Sequence, residues 1–480
     1  MSTLCRPGNR IPIITFLILM SAAVYACGGG TESDKENNPN PNISQTENWE
    51  RIDVMDLGGD AASAPNVRAH VDSQGYVHLF YYKLGEQYDG RVRYQIHHAV
   101  WDSQTRALNG EEEMLNVTPA YPNDGDSGLN NSLVLDAGVT TDGLPIVAYQ
   151  GGKLAGTPGG ELACNQTAQG DIMLNVFNGS NWNEYLGIYG DADDKNPYFT
   201  DGYVGTYGSL AVDSQNRIHM AAQFYFEMCD EHAKNNPDLM YVRQTMDQLG
   251  GSYSTGWEQL VDDHNVYTGT YASNVTQMGY FCDLTLDLQD QPIIVYMGTP
   301  GEDEQTDSVT SLRMARDDDG DGQWTVEVIE ELGNWQVKRL SAAVAPDGTI
   351  GVAYFMEEID DTDFPDHLRY AYRQPDGEWE IDIVDVSSHC GDYPSLAFDA
   401  ASLPVIAYYD IHANSGSYRS RKNLRFARYD GGPWEKETVA SAGDIGRYNA
   451  VWIDADNVIN IITYELNNQQ IVIFREQPEQ

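Results

Sequence analysis

Read for polarity alone, the chain repeats one phrase seven times. The clearest copy runs Pro394-Ser-Leu-Ala-Phe-Asp399, then Pro404-Val-Ile-Ala-Tyr-Tyr409, Asn423-Leu-Arg-Phe-Ala-Arg-Tyr429 and Trp434-Glu-Lys-Glu-Thr-Val439. Each segment alternates or runs apolar over about five residues between Gly, Asp, Asn or Pro, which is the pattern of a short strand. Four such strands per unit, recurring every ~50 to 75 residues, predict a β-propeller.

Registered on the Asp that closes the first strand, the copies fall at Asp72, Asp136, Asp213, Asp287, Ala345, Asp399 and Asp454. Second strands follow at 77–82, 145–150, 218–225, 292–297, 350–355, 404–409 and 459–464. Third strands carry a Leu-Arg-aromatic-Ala flavour, as in Leu368-Arg-Tyr-Ala-Tyr372 and Leu424-Arg-Phe-Ala-Arg428. Fourth strands open on Trp182, Trp257, Trp324, Trp379 and Trp434, with 113–117 as a weaker candidate in the first unit. The last copy stops after its third strand, and Asn48-Trp-Glu-Arg-Ile-Asp-Val54 matches the missing fourth. The expectation is an all-β fold over residues 48–476. It is a seven-bladed β-propeller with four-stranded blades, closed by an N-terminal strand that completes the last blade and leaves no open seam.

Residues 1–26 read as an export signal, with Arg6 and Arg10 ahead of an apolar run at 11–24. Val24-Tyr-Ala-Cys27 resembles the lipobox of bacterial lipoproteins, which implies lipidation of Cys27. Residues 27–47, opening with three Gly and continuing in Asn, Pro and Ser, read as a flexible polar tether. No Asp follows Cys27, so a lipid-anchored place on the outer membrane or cell surface is expected. The chain carries 73 Asp+Glu against 28 Lys+Arg, a net charge of −45. Such a surface repels nucleic acid, which is excluded as a partner. Export permits disulfides. Blade register puts Cys164, Cys229, Cys282 and Cys390 on one face, with Cys164–Cys229 the favoured pair and Cys229–Cys282 its rival.

That face also gathers the long loops, where a rigid ring places function. The residues entering the first strands there are Asn66, Asn130, Tyr207, Phe281, Arg339, Tyr393 and Tyr448, with Arg68 and Arg447 beside them. Arg68, Arg339 and Arg447 present planar forks for carboxylate, sulfate or phosphate. Tyr207, Tyr393 and Tyr448 offer rings and hydroxyls to a sugar. Asp317, Asp319 and Asp321 alternate as a calcium loop does, but Val328 stands where an EF-hand needs its Glu. A calcium ion there would be structural, in a hairpin on the opposite face. No His pair has metal-ligand spacing, and no nucleophile elbow or phosphate loop is present.

Asn178-Gly-Ser-Asn-Trp182, Asp376-Gly-Glu-Trp379 and Asp430-Gly-Gly-Pro-Trp434 fall at the hairpin before the fourth strand. There the chain resembles the sialidase-like (BNR-type) propeller superfamily, although the Ser-x-Asp-x-Gly-x-x-Trp spacing is met in none of them. The resemblance implies an Arg triad, onto which Arg68, Arg339 and Arg447 would fall; the Arg-Ile-Pro entry of blade one is missing. The expected function is a binding or scaffolding protein for an extracellular glycan or protein. The alternative is a glycan-processing enzyme, a sialidase-like glycosidase or a polysaccharide lyase, acting from the loop-rich face.

Overall fold

The computed structural model describes residues 48–477 apart from 59–66, 89–90, 111–112, 116–133, 152–170, 189–201, 227–236, 250–256, 263–276, 300–309, 318–322, 334, 359–365, 376, 388–389, 413–420 and 442. Seven antiparallel sheets follow one another along the chain, six with their strands in sequence order and the seventh taking its outer strand from the start of the ring. Their innermost strands are Arg68–Val71, Val134–Val139, Gly202–Val212, Gln277–Leu286, Trp335–Val344, Cys390–Phe398 and Ile445–Ile453. Each packs on the next, and the seventh packs on the first, so the predicted ring is formed. In blade 7, Trp49–Asp56 lies antiparallel to Gln470–Glu476, from Trp49 opposite Glu476 to Asp56 opposite Gln470. Blade 1 holds its fourth position with two short pieces, Ala107–Leu108 and Glu113–Met114, both paired to Arg91–Asp102.

Every blade must hide two faces, which is why the second strands read as continuous apolar runs rather than as alternations. Among the described residues the core is accordingly split into seven clusters, one at each seam between neighbouring blades. The fourth-strand Trp reaches across the seam to the third strand of the blade before. Trp182 meets His98, Trp324 meets Tyr241, Trp434 meets Tyr370 and Trp49 meets Phe426, all edge-on at 4.9–5.3 Å. The Leu-Arg phrase has a seam role too. Arg369 pairs with Glu330 of the preceding blade, which also accepts the Tyr354 hydroxyl at 2.5 Å. One blade on, Arg425 lies 3.3 Å from Asp385, which accepts from Tyr408 at 2.6 Å.

One register assignment is corrected. The closing Asp accepts two amides of its own turn, as Asp72 does from Gln74 and Tyr76 at 2.9 and 2.8 Å. In blade 2 this turn is built by Thr140, whose amide bonds Leu144 O and whose Oγ1 accepts Leu144 N, both at 2.9 Å. Asp136 sits four residues earlier, inside the strand. A four-residue slip preserves the face of every side chain in a strand, so the apolar pattern is blind to it.

Trp49 is 2 % exposed and donates from Nε1 to Glu437 at 2.9 Å. Trp49→Ala is expected to cost about 3–5 kcal/mol through cavity and lost closure. Urea unfolding of the variant checks this, and an unchanged midpoint would contradict a sealing role for the strand.

Candidate functional site: the channel mouth

The first strands do not pair evenly up to the mouth. Their registers shift between Val134 and Asp136, Val204 and Gly208, Tyr280 and Asp283, Val337 and Arg339, Asp392 and Ser395, and Arg447 and Ala450. In blades 4, 6 and 7 the bulged residue is aromatic and left-handed: Phe281 at φ +51°, Tyr393 at +49° and Tyr448 at +56°. Such backbone costs a bulky residue on the order of 1–3 kcal/mol and concentrates at functional sites. Gly391 and Gly446, two residues earlier, are at φ +112° and +119°. A Cβ on Gly391 would lie 2.8 Å from Leu368 Cβ, so the strand passes its neighbour at a distance only glycine permits. The signal was present in the chain as Gly205-Thr-Tyr207, Gly279-Tyr-Phe281, Gly391-Asp-Tyr393 and Gly446-Arg-Tyr448. Reading the aromatics without their glycines missed it.

Below the bulges a belt of side chains ties each inner strand to the one before. The Leu210 amide donates to Asp136 at 2.9 Å, Leu284 to Ser209 at 3.0 Å, Ala342 to Asp283 at 2.7 Å, Leu396 to Ser341 at 3.1 Å and Val451 to Ser395 at 2.9 Å. Arg68 holds the equivalent place in blade 1, four residues ahead of Asp72. Its charge acts on Asp283.

At the mouth itself the structure brings together Arg339, Tyr393, Tyr448 and Arg447. Arg339 takes the aromatic position in blade 5. Its Nε donates to Asp392 at 2.8 Å, and its guanidinium lies 3.8 Å over the Tyr393 ring. Among the described residues its terminal Nη1 and Nη2 edge takes no hydrogen bond, and the side chain remains 30 % exposed. Tyr393 meets Tyr448 edge-on at 4.9 Å and Tyr409 at 6.2 Å. Arg447 stands 5.3 Å over the Tyr409 ring and 3.4 Å from its hydroxyl. Tyr409 donates to Asp444 at 2.5 Å, and Lys422 holds the other Asp444 oxygen at 2.6 Å. Asn449 pins the strand by donating to the carbonyls of Tyr393 and Gly446 at 3.0 and 2.7 Å.

Burial alone would pull the Arg339 guanidinium down. The Asp392 charge and the Tyr393 and Tyr448 phenols outweigh it, and the group sits above its ordinary value. Burial pushes the Tyr393 phenol up, and the same cause with the Asp444 hydrogen bond raises Tyr409.

The other expected residues part company with this cluster. Arg68 belongs to the belt, and Tyr207 lies on the Gly202–Val212 strand at the register of Tyr393. The side chain of Asp317 is buried, while Asp319 and Asp321 lie outside the described residues, as do Cys27, Cys164 and Cys229. Among the described residues no group of His, Cys, Asp or Glu is arranged around a metal position. The rival Cys229–Cys282 bridge is not formed. Cys282 and Cys390 are buried thiols, with Sγ 3.7 Å from Ala221 O and 3.4 Å from Asp385 O. The bulge after Tyr280 turns Cys282 into the seam between blades 3 and 4 rather than toward the face. Burial pushes the Cys390 thiol up to about 12. The strand histidines are seam residues as well. His78 and His98 touch at 3.1 Å, with His98 driven down to about 3 by burial and then by His78, and His219 is lowered to about 4 by burial.

No family model matches the sequence, and no curated protein matches it. Solved structures do. An ulvan lyase of a polysaccharide lyase family superposes with a TM-score of 0.54 at 12% identity, covering 88% of this chain and 94% of its own. A protein of unknown function from Dyadobacter fermentans gives 0.45 at 13% identity, covering 72% of this chain and 95% of that one. A sialidase from Streptococcus pneumoniae gives 0.41 at 12% identity, with coverages of 88% and 70%. The likeness is one of fold. This is a seven-bladed propeller whose structural neighbours include polysaccharide lyases and sialidases.

Because the folded chain keeps the Tyr393 and Tyr409 protons above their unfolded value of 10.0, unfolding releases protons in alkali. Stability therefore falls as pH rises through that window. Tyr409→Phe is expected to flatten the loss above about pH 10, followed by urea midpoints; an equal slope in both proteins would refute the assignment.

Proposed function

We propose that the protein is a cell-envelope-anchored β-propeller that binds an anionic glycan outside the cell at the mouth of its central channel. The observation that supports this best is the Arg339 guanidinium. Its Nε is fixed on Asp392 and its face on Tyr393, while its outer edge points away from both. A fork held in this way has lost its rotamer freedom before the ligand arrives, which favours bidentate capture of a carboxylate or sulfate. Tyr393 and Tyr448 supply aromatic surface beside it, and Arg447 supplies a second cation. The same fold carries an ulvan lyase whose bound glycan contains GlcA and Rha3S, so a propeller can host a ligand of this class.

Binding is favoured over cleavage by the state of the titratable groups at the mouth itself. A base acting near neutral pH needs a value near the working pH. Tyr393 and Tyr409 are moved away from it, upward. Asp392 is engaged by Arg339, and Asp444 by Tyr409 and Lys422. In this reading residues 1–26 direct export, lipidated Cys27 anchors the chain, and residues 27–47 hold the ring off the membrane. Calcium at Asp317, Asp319 and Asp321 would stiffen a hairpin remote from the ligand.

The test incubates the oxidised protein, with calcium, with sialylated, sulfated and uronate glycans, scoring retention and products by mass spectrometry. Retention of intact glycan is expected. Arg339→Ala should weaken it about 10- to 100-fold, the worth of a charged hydrogen bond, and Arg339→Lys should not restore it, for want of the fork. Cleaved or unsaturated products would replace this reading with the enzymatic one. Neither product nor retention would remove the glycan and leave a protein partner.

A further inference from the structure

Beneath the mouth, the belt contains a contact that does not balance in protons as drawn. Ser209 Oγ lies 2.9 Å from Asp136 Oδ2 and 2.9 Å from Asp283 Oδ1, and it accepts the Leu284 amide at 3.0 Å. A hydroxyl has one proton and two lone pairs. The amide takes one lone pair, and the proton satisfies one carboxylate. The second carboxylate is then left with its oxygen against the remaining lone pair of Ser209, an arrangement that repels unless that carboxyl itself carries a proton. With one added proton every position is filled. One carboxyl donates to Ser209, Ser209 donates to the other, and the Leu284 amide completes the oxygen.

The remaining oxygens agree with a pair that shares one proton. Asp136 also accepts the amides of Ala137 and Leu210 at 2.9 Å each. Asp283 accepts Ala342 N at 2.7 Å on Oδ2 and Leu284 N at 3.1 Å on Oδ1. The Leu284 N–H is shared between Ser209 Oγ and Asp283 Oδ1, so the added proton belongs on one of the two oxygens that face Ser209, Asp136 Oδ2 or Asp283 Oδ1.

We propose that Asp136 and Asp283 hold a single proton between them through Ser209, forming a proton-binding latch that joins blades 2, 3 and 4 in the wall of the channel. The latch is closed in mild acid. Losing the proton sets two carboxylates against one hydroxyl and loosens two seams at once, directly below the mouth.

Among the described residues the groups facing the pair are few. The first strand of blade 1 contributes the charge of Arg68, which acts on Asp283, and His70, on which Asp136 and Asp72 act. The first strand of blade 3 brings Ser209, and that of blade 5 brings the Ala342 amide. On its own strand Asp283 neighbours Cys282 and Leu284, which pack on Ala221, Leu239 and Tyr241 of blade 3. Burial, and then the Asp136 charge, lift the Asp283 carboxyl to about 6, against its amide and Ser209 hydrogen bonds and Arg68. A carboxyl raised in the fold contributes stability that is complete below its unfolded value and is lost as pH rises through the folded one. For Asp283 that window runs from 3.8 to about 6.

The test uses the full chain and two readouts. Infrared difference spectra between mildly acidic and neutral pH should show a protonated carboxyl that titrates near 6 and is absent in Asp283→Asn. The amide of that variant donates to Ser209 at every pH. Relative to it, the folding equilibrium of the wild type should fall about 100-fold between pH 4 and 7, as a shift of roughly two pKa units requires. Absence of the band in wild type, or equal pH slopes in the two proteins, overturns the proposal. Should Asp283→Asn not fold, Asp136→Asn carries the test: without the opposing charge the titration must move to lower pH, and an unmoved midpoint is equally fatal. Glycan retention is independent of both readouts, so failure here leaves the mouth reading standing.

Discussion

The seam between blades is the interaction on which everything else rests. A single four-stranded blade has two apolar faces and no way to bury either alone. Each gains cover only from its neighbours, so the ring is stable when it is complete. The division of the core into seven separate clusters is the direct expression of this. Tryptophans crossing each seam edge-on, and Tyr-acid-Arg sets such as Tyr354, Glu330 and Arg369, then fix the rotation of one blade on the next.

The mouth is shaped by the same requirement. Seven strands converging on one axis leave little room, and the belt from Asp136 to Ser395 settles their spacing with one side chain per seam. Beyond the belt the strands part, and the bulges turn Phe281, Tyr393 and Tyr448 into left-handed backbone. The strain held there is offset by the packing below it. The result is a collar of aromatic rings with Arg339 standing in one of their places, rather than a scatter of surface residues. An arginine in an aromatic register, on an otherwise strongly acidic protein, is the chemical asymmetry of the ring.

Blade number, strand order and the borrowed strand were legible because each is written in period-two apolar pattern, seven times over, so errors in one copy are corrected by the others. The slip in blade 2 shows the limit of that reading: Asp136 and Thr140 lie on the same face, and only the turn hydrogen bonds of Thr140 tell them apart. The site was legible in part. Arg339, Tyr393, Tyr448 and Arg447 were found by counting back from the strand, and the structure gathers them. Arg68 was counted with them, but it lies four residues ahead of Asp72, at the belt position of blade 1. Ser209 was invisible, since a polar residue in a strand reads as solvent-facing unless the channel is already known. Cys282 failed for a related reason: alternation predicts its direction only where the strand is regular, and two residues of bulge redirect it.

The borrowed strand carries a consequence in time. Glu50 and Gln477 meet at 3.1 Å although 427 residues separate them. Trp49–Asp56, made before the rest of the ring, therefore waits unpaired until Gln470–Glu476 has been made, and the ring cannot be sealed before then. Closure over such a span is slow, and until it occurs both edges of the last blade stand open to other chains. Once made, the closure works in the opposite sense. With Trp49–Asp56 paired along Gln470–Glu476, the last blade has no strand that can peel off without breaking that closure, so the protein trades a long vulnerable assembly for a long life afterwards.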